Sequence, residues 1–167
     1  NNYKFPIHDY FFAASLDKVR PGGLLMFITS RGTMDKLDST LRELLSTRTE
    51  LLGAIRLPND AFKKNAGTEV TTDIIMLRKL RAGEAPTGAV WKETADYAND
   101  IGEAFTLNEY FATRPEMMLG KMRLTGGMYG GNDPTLEPDG RKLADALAQA
   151  IEKLPQGIYQ ARAHKIA

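Results

Sequence analysis

Residues 24–28, Leu24-Leu25-Met26-Phe27-Ile28, form a short unbroken apolar run closing on Thr29-Ser30, and no other feature constrains the fold as much. A strand covered on one face alternates apolar and polar side chains. A strand without alternation is built to be covered on both faces, as in a parallel sheet. Arg20-Pro21-Gly22-Gly23 breaks the chain before the run and Arg31-Gly32 turns it afterwards. Upstream, Phe12, Leu16 and Val19 recur at helical spacing with Phe11 beside them, and Pro6 suits a first turn, where a missing N–H costs nothing. Downstream, Thr33 is placed to cap a second helix carrying Met34, Leu37, Leu41 and Leu44 on one stripe, opposite Lys36, Arg42 and Glu43. Helix, strand, helix is the grammar of an α/β fold.

Two further runs read as strands, over 51–57 and 70–77, the second enriched in the β-branched residues Thr71, Thr72, Ile74 and Ile75. Between them lies a polar loop, Pro58-Asn59-Asp60-Ala61-Phe62-Lys63-Lys64-Asn65-Ala66-Gly67, with one aromatic in its middle. Beyond Arg81-Ala82-Gly83-Glu84-Ala85-Pro86 the periodicity weakens. The hydrophobic residues scatter around Trp91, Tyr97 and Phe105, and the glycine-rich stretch over 120–140 reads as irregular. A last helix is expected from Arg141, with Leu143, Leu147, Ile151 and Leu154 on one side, before Pro155 and Gly157 end it. The organisation expected is a sheet-forming part over residues 1–82 and an accessory segment over 83–167, mainly helical or irregular, with no internal repeat.

A chain of 167 residues is long enough to enclose a real core and short for two full domains. With 22 basic and 21 acidic side chains, no overall field draws it onto a polyanion, so any nucleic-acid contact must be local. Cysteine is absent, which removes disulfides, thiolate metal sites and a thiol nucleophile and fits a reducing compartment. His8 and His164 are far apart in sequence, so no metal site is expected. The opening Asn1-Asn2-Tyr3-Lys4-Phe5-Pro6 has no charged leader followed by an apolar run, and nothing later is long enough to span a bilayer. The sequence therefore reads as soluble and cytoplasmic. No methionine opens it, and the reading places its start inside a longer protein.

Few motifs carry chemistry. Gly120-Lys121 lacks the strand, the helix and the Lys-Ser or Lys-Thr ending of a phosphate-binding loop, and reads as a surface loop. His8 and Asp9 are adjacent on a helix, point in different directions and have no nucleophile near, so they read as a solvent-facing terminus. Trp91, Tyr110, Phe111 and Tyr129 read as packing residues of the accessory segment. Phe62 joins a stacking surface to the charges of Lys63 and Lys64; a loop phenylalanine tucked into the core fits the residues equally well.

Three stretches together resemble a known family. The helix-Arg20-Pro21-Gly22-Gly23-strand-Thr29-Ser30 segment, then Ile55-Arg56-Leu57-Pro58-Asn59-Asp60-Ala61-Phe62, then Gly67-Thr68-Glu69-Val70-Thr71-Thr72-Asp73-Ile74-Ile75-Met76-Leu77, are similar to successive segments of amino-directed DNA adenine-N6 methyltransferases. The likeness is to the type I modification-subunit branch and to helicase-methylase proteins of phages and mobile elements. Residues 107–119 look like the segment that follows the core in the latter group.

The resemblance implies an α/β fold: a partial Rossmann-like class I methyltransferase sheet made of its strands five to seven, the last antiparallel, with flanking helices and an accessory tail. It also implies S-adenosylmethionine as the parent protein's methyl donor. The family's glycine-rich turn, acidic donor residue and Asn/Asp-Pro-Pro-Tyr/Phe signature are all missing here. The chain is therefore expected to hold no catalytic residue, to be inactive alone and not to bind the donor. Phe62 aligns with the family's base-stacking aromatic, and Lys63 and Lys64 beside it are expected near DNA phosphate. The implied partners are DNA, through the parent protein, and the N-terminal half of the methyltransferase domain. The alternative is a stand-alone DNA-binding or sheet-completing interaction module. A third possibility is a parent that methylates RNA or a protein amide.

Overall fold

The unbroken run forms a strand, β1 (Leu24–Ser30), and the two later runs form β2 (Thr49–Leu57) and β3 (Thr72–Lys79) of the same sheet. The structure, a computed structural model, describes residues 6–67, 69–126 and 132–159. β3 is the middle strand and runs antiparallel to both neighbours, so β1 and β2 point the same way. Cross-strand rows define one face: Leu25, Leu77 and Leu51, then Phe27, Ile75 and Ala54, then Thr29, Asp73 and Arg56. Helix α1 (Ile7–Lys18) packs on this face, where the Phe12 and Phe27 rings stand 4.2 Å apart. The Lys79 ammonium fixes its end, donating to the Leu16 and Val19 carbonyls at 2.8 Å each.

The second helix departs from expectation. One turn, α2 (Gly32–Asp35), is followed by a break and then α3 (Thr40–Arg48). Asp38 makes the break, accepting from the Thr40 amide at 3.0 Å and its hydroxyl at 2.6 Å, which satisfies orphan donors at the new start. The expected stripe is shifted as a result. Leu37 is 79% exposed, while Arg42 is fully buried among Leu41, Leu45 and Met34. Arg42 is tolerated inside because its guanidinium donates to the carbonyls of Lys92 at 2.7 Å, Lys36 at 2.8 Å and Thr33 at 3.2 Å.

The accessory segment is not mainly helical or irregular. It contains two hairpins, β4 (Thr94–Ala98) with β5 (Ala104–Asn108) and β6 (Lys121–Gly126) with β7 (Asn132–Glu137), together with short α5 (Glu109–Thr113), a 3-10 turn (Pro115–Met117) and α6 (Leu143–Glu152). Of these strands β4 and β7 bury few positions and leave little hydrophobic pattern to read, whereas β5 buries Phe105, Leu107 and Asn108. On α6 it is Ala146 and Ala150 that are buried; Leu143, Leu147 and Leu154 are half-buried, and Ile151 is exposed. Trp91, Phe105, Leu107, Tyr110, Phe111, Met122 and Leu136 join Leu16, Leu25, Leu51 and Ile75 in one continuous core, so the accessory residues pack directly on the sheet. The whole is mixed α/β with small antiparallel sheets. The opening residues 1–5, Thr68, Tyr129 and His164 lie outside the described residues.

Candidate functional site

The β2–β3 loop places Phe62 at the entry to a single helical turn, α4 (Lys63–Ala66), ended by Gly67 in the left-handed region at φ 65°. Phe62 is half-buried, with part of its ring against the core. Lys63 and Lys64 are exposed. The Lys63 ammonium pairs with Glu69, and that hydrogen bond raises its pKa. The loop therefore brings the three residues together on one turn, with both charges in solvent. His8 is exposed, but Asp9 is turned inward and paired with Lys36, so the pair is not a wholly solvent-facing terminus.

Beneath this end of the sheet lies a charge cluster that sequence reading missed. Arg56 of β2 is fully buried. Its guanidinium reaches both oxygens of Asp73 on β3, at 2.7 and 2.9 Å, and both oxygens of Asp35 on α2, at 2.8 and 2.9 Å. It also lies over the Phe111 ring, 4.4 Å from the centroid. Asp35 accepts in addition from the Asn108 amide at 3.0 Å, and the Asn108 side chain donates to the carbonyls of Met34 at 2.9 Å and Trp91 at 2.8 Å. Burial pushes the Asp73 carboxyl above its usual range, although Arg56 opposes this. Desolvation works against the Arg56 charge, but Asp73 and then Asp35 outweigh it and raise its pKa. The cluster ties sheet, α2 and accessory segment together and is saturated within itself, which marks it as a structural lock. The available signal was a charge of each sign inside two otherwise apolar strand runs.

The feature with a free binding capacity is the outer edge of β1. Its register against β3 runs unbroken from Leu24 opposite Arg78 to Ser30 opposite Thr72, and its other side pairs with nothing among the described residues. On the strand face away from α1, Leu24, Met26 and Ile28 are 43%, 69% and 57% exposed. The expectation of cover on both faces is thus met on one face only. Around Met26 and Met76, the segment carrying Leu154, Pro155, Ile158 and Tyr159 leaves an apolar cavity of about 450 Å³. The β2 side differs: Leu119 donates its amide to the Arg56 carbonyl at 2.9 Å, and Met118 bridges Arg56 in parallel. Among the described residues no group of His, Asp and Glu is arranged to hold a metal ion, and no helix is long and apolar enough to cross a membrane.

No protein-family model and no solved structure matches the chain. It is similar to the Defense against restriction protein B of Escherichia phage P1, with 34% identity over 104 residues. The match covers 61% of this chain and 5% of that protein. The assignment to adenine-N6 methyltransferases, and the reading of the chain as a fragment of one, is corrected by this finding, because the relative is named for defence against restriction and not for methyl transfer. The physical reason lies in what carried the likeness: a helix, a Pro-Gly-Gly break, a strand and a strand-loop-strand report α/β packing, and no residue that would perform the transfer was among them. The expectation of S-adenosylmethionine rested on that likeness and goes no further.

Proposed function

We propose that this chain is a sheet-completing interaction module within a longer polypeptide that acts in defence against restriction. The edge of β1, unpaired among the described residues, carries the reading. Soluble proteins blunt an open edge with lysine, proline, a bulge or a very short strand. β1 has seven residues, no charge, no proline and an unbroken register, and so uses none of these devices. Such an edge is built to be paired.

On this reading its occupant is a further strand from another part of the same polypeptide. The restriction-defence relative supports that choice, since the shared residues are a small part of its length. The finer fold belongs here too. β1 and β2 are parallel to each other, and more strands beyond β1 would extend them into an open Rossmann-like sheet.

The test is survival of incoming DNA in a restricting host that carries the complete gene. The Met26→Lys, Ile28→Lys double variant is expected to lose protection, while the isolated chain keeps its stability because both side chains are more than half exposed there. Full protection by the variant contradicts the proposal. Exposure of Lys63 and Lys64 beside Phe62 supports a second contribution, a contact with DNA phosphate at α4.

A further inference from the structure

We infer that the unit completing this sheet is a folded α/β element bringing an apolar layer to both sides of its strand, not an extended peptide added to the edge. This inference rests on the reading of β1 as an edge to be paired. It names the kind of partner that fits.

Helix α1 gives the first observation. Asp9, Phe12, Ala13 and Leu16 are buried against the sheet, yet Ile7, Tyr10 and Phe11 on another side are 67%, 46% and 58% exposed. Residues at i, i+3 and i+4 share a helix face, so these three form a second apolar stripe. A helix with apolar stripes on two sides is built to lie between two layers, and among the described residues only one is present. β1 gives the second observation, independent of the first. It is apolar on both faces, with Leu25 buried and Phe27 partly buried on one and Leu24, Met26 and Ile28 largely exposed on the other, where the segment carrying Leu154 and Tyr159 lies beside Met26 without filling the space.

The two unfilled surfaces lie on opposite sides of the sheet, because α1 packs over Phe27 while Met26 points the other way. A lone strand would satisfy the β1 backbone and leave both surfaces wet. An element with one apolar layer reaching over the outer side of α1 and another set against the Met26 face would cover both in one docking event. Neither exposed set contains a charged side chain, so the matching layers are apolar, and their burial is the main source of affinity.

The chain contains no cysteine, so single cysteines report cover cleanly. Phe11→Cys, Met26→Cys and, as control, Ile101→Cys, 65% exposed in the turn between β4 and β5, are compared for maleimide labelling. Each is measured in this chain alone and within the longer polypeptide. All three are expected to label readily in the isolated chain. In the longer polypeptide, positions 11 and 26 should both be slowed by at least about tenfold while 101 is unchanged, a change of about 1.4 kcal/mol in effective accessibility. Protection of the β1 amides with free labelling at 11 or 26 overturns this inference and leaves the sheet-completing reading standing. Labelling at both together with unprotected β1 amides overturns both.

Discussion

The two edges of the central sheet, β1 without a charge and β2 with Glu50 and Arg56 among its apolar residues, end in opposite states. β2 is closed along its length. Gly88 lies so near Leu51 that a Cβ would stand 2.4 Å from its carbonyl oxygen, Leu119 bonds Arg56, and every residue of the strand but Leu52 is buried. β1 has α1 on one face and nothing on its outer side among the described residues. The lesson is that hydrophobic pattern records the cover a strand was built for, while only the fold tells which cover this chain supplies. The described part of the accessory segment supplies it for β2 and leaves the outer edge of β1 unpaired.

The comparison breaks most directly at Arg56. Arg56→Met leaves the Asp35 and Asp73 carboxylates buried without their partner, and a loss of about 3 to 5 kcal/mol is expected in chemical denaturation. No substitution on the exposed face of β1 should approach this. A loss under about 1 kcal/mol would remove the lock from the account of how the closed edge is held. Next come two equivalent truncations, one on each strand. Ile55→Ala, 1% exposed on β2, should cost about 2 to 5 kcal/mol, whereas Ile28→Ala, 57% exposed on β1, should stay within about 0.5 kcal/mol. Equal losses would mean that the β1 side chains are covered after all.

The main strands were legible in sequence because each is a run of apolar or β-branched residues bounded by turn chemistry; the antiparallel direction of the third had been implied only by the methyltransferase resemblance and not by the residues themselves. The restriction-defence relative was not legible, since α/β grammar is common to many functions. The hairpins were hidden because Thr94–Ala98 and Asn132–Glu137 bury too few positions to show a period. Arg42, Arg56 and Asp73 were hidden because charge in a sequence reads as surface; their burial depends on partners 6 to 50 residues away. Phe62 fitted either a stacking or a packing role, and the fold sets it partly against the core.

Smaller effects sharpen the contrast. Gly88→Ala pushes a methyl into the backbone of Leu51 and should cost about 1 to 3 kcal/mol, read as a lower denaturation midpoint. An unchanged midpoint would show that the cover over β2 yields easily. The segment bearing Gly88 is pinned by Arg78, which donates to Glu50 at 2.6 Å and to Glu84 at 2.5 and 3.2 Å. The Arg78 hydrogen bond holds the Glu84 carboxyl at about 2, below its ordinary 4.5. A depressed carboxyl contributes stability above its unfolded pKa and loses it as pH falls through the folded one. Glu84→Gln should therefore flatten the stability profile between pH 4.5 and about 2 and nowhere else. A profile that keeps its slope there places the pH dependence elsewhere. The smallest effect lies away from both edges. Reversing Lys63 and Lys64 to Glu should reduce the salt slope of DNA binding by about one to two units while stability holds, and an identical slope removes α4 from any DNA contact.

Residue-resolved amide hydrogen exchange of β1 and β2, in the dilute isolated chain and in the longer polypeptide, tests the central claim most directly. The account requires the outward amides of β1 to exchange near solvent rates in the isolated chain while those of β2 are protected, and then to become protected in the longer polypeptide. Protection of β1 already in the isolated monomer, or free exchange in both, would contradict it.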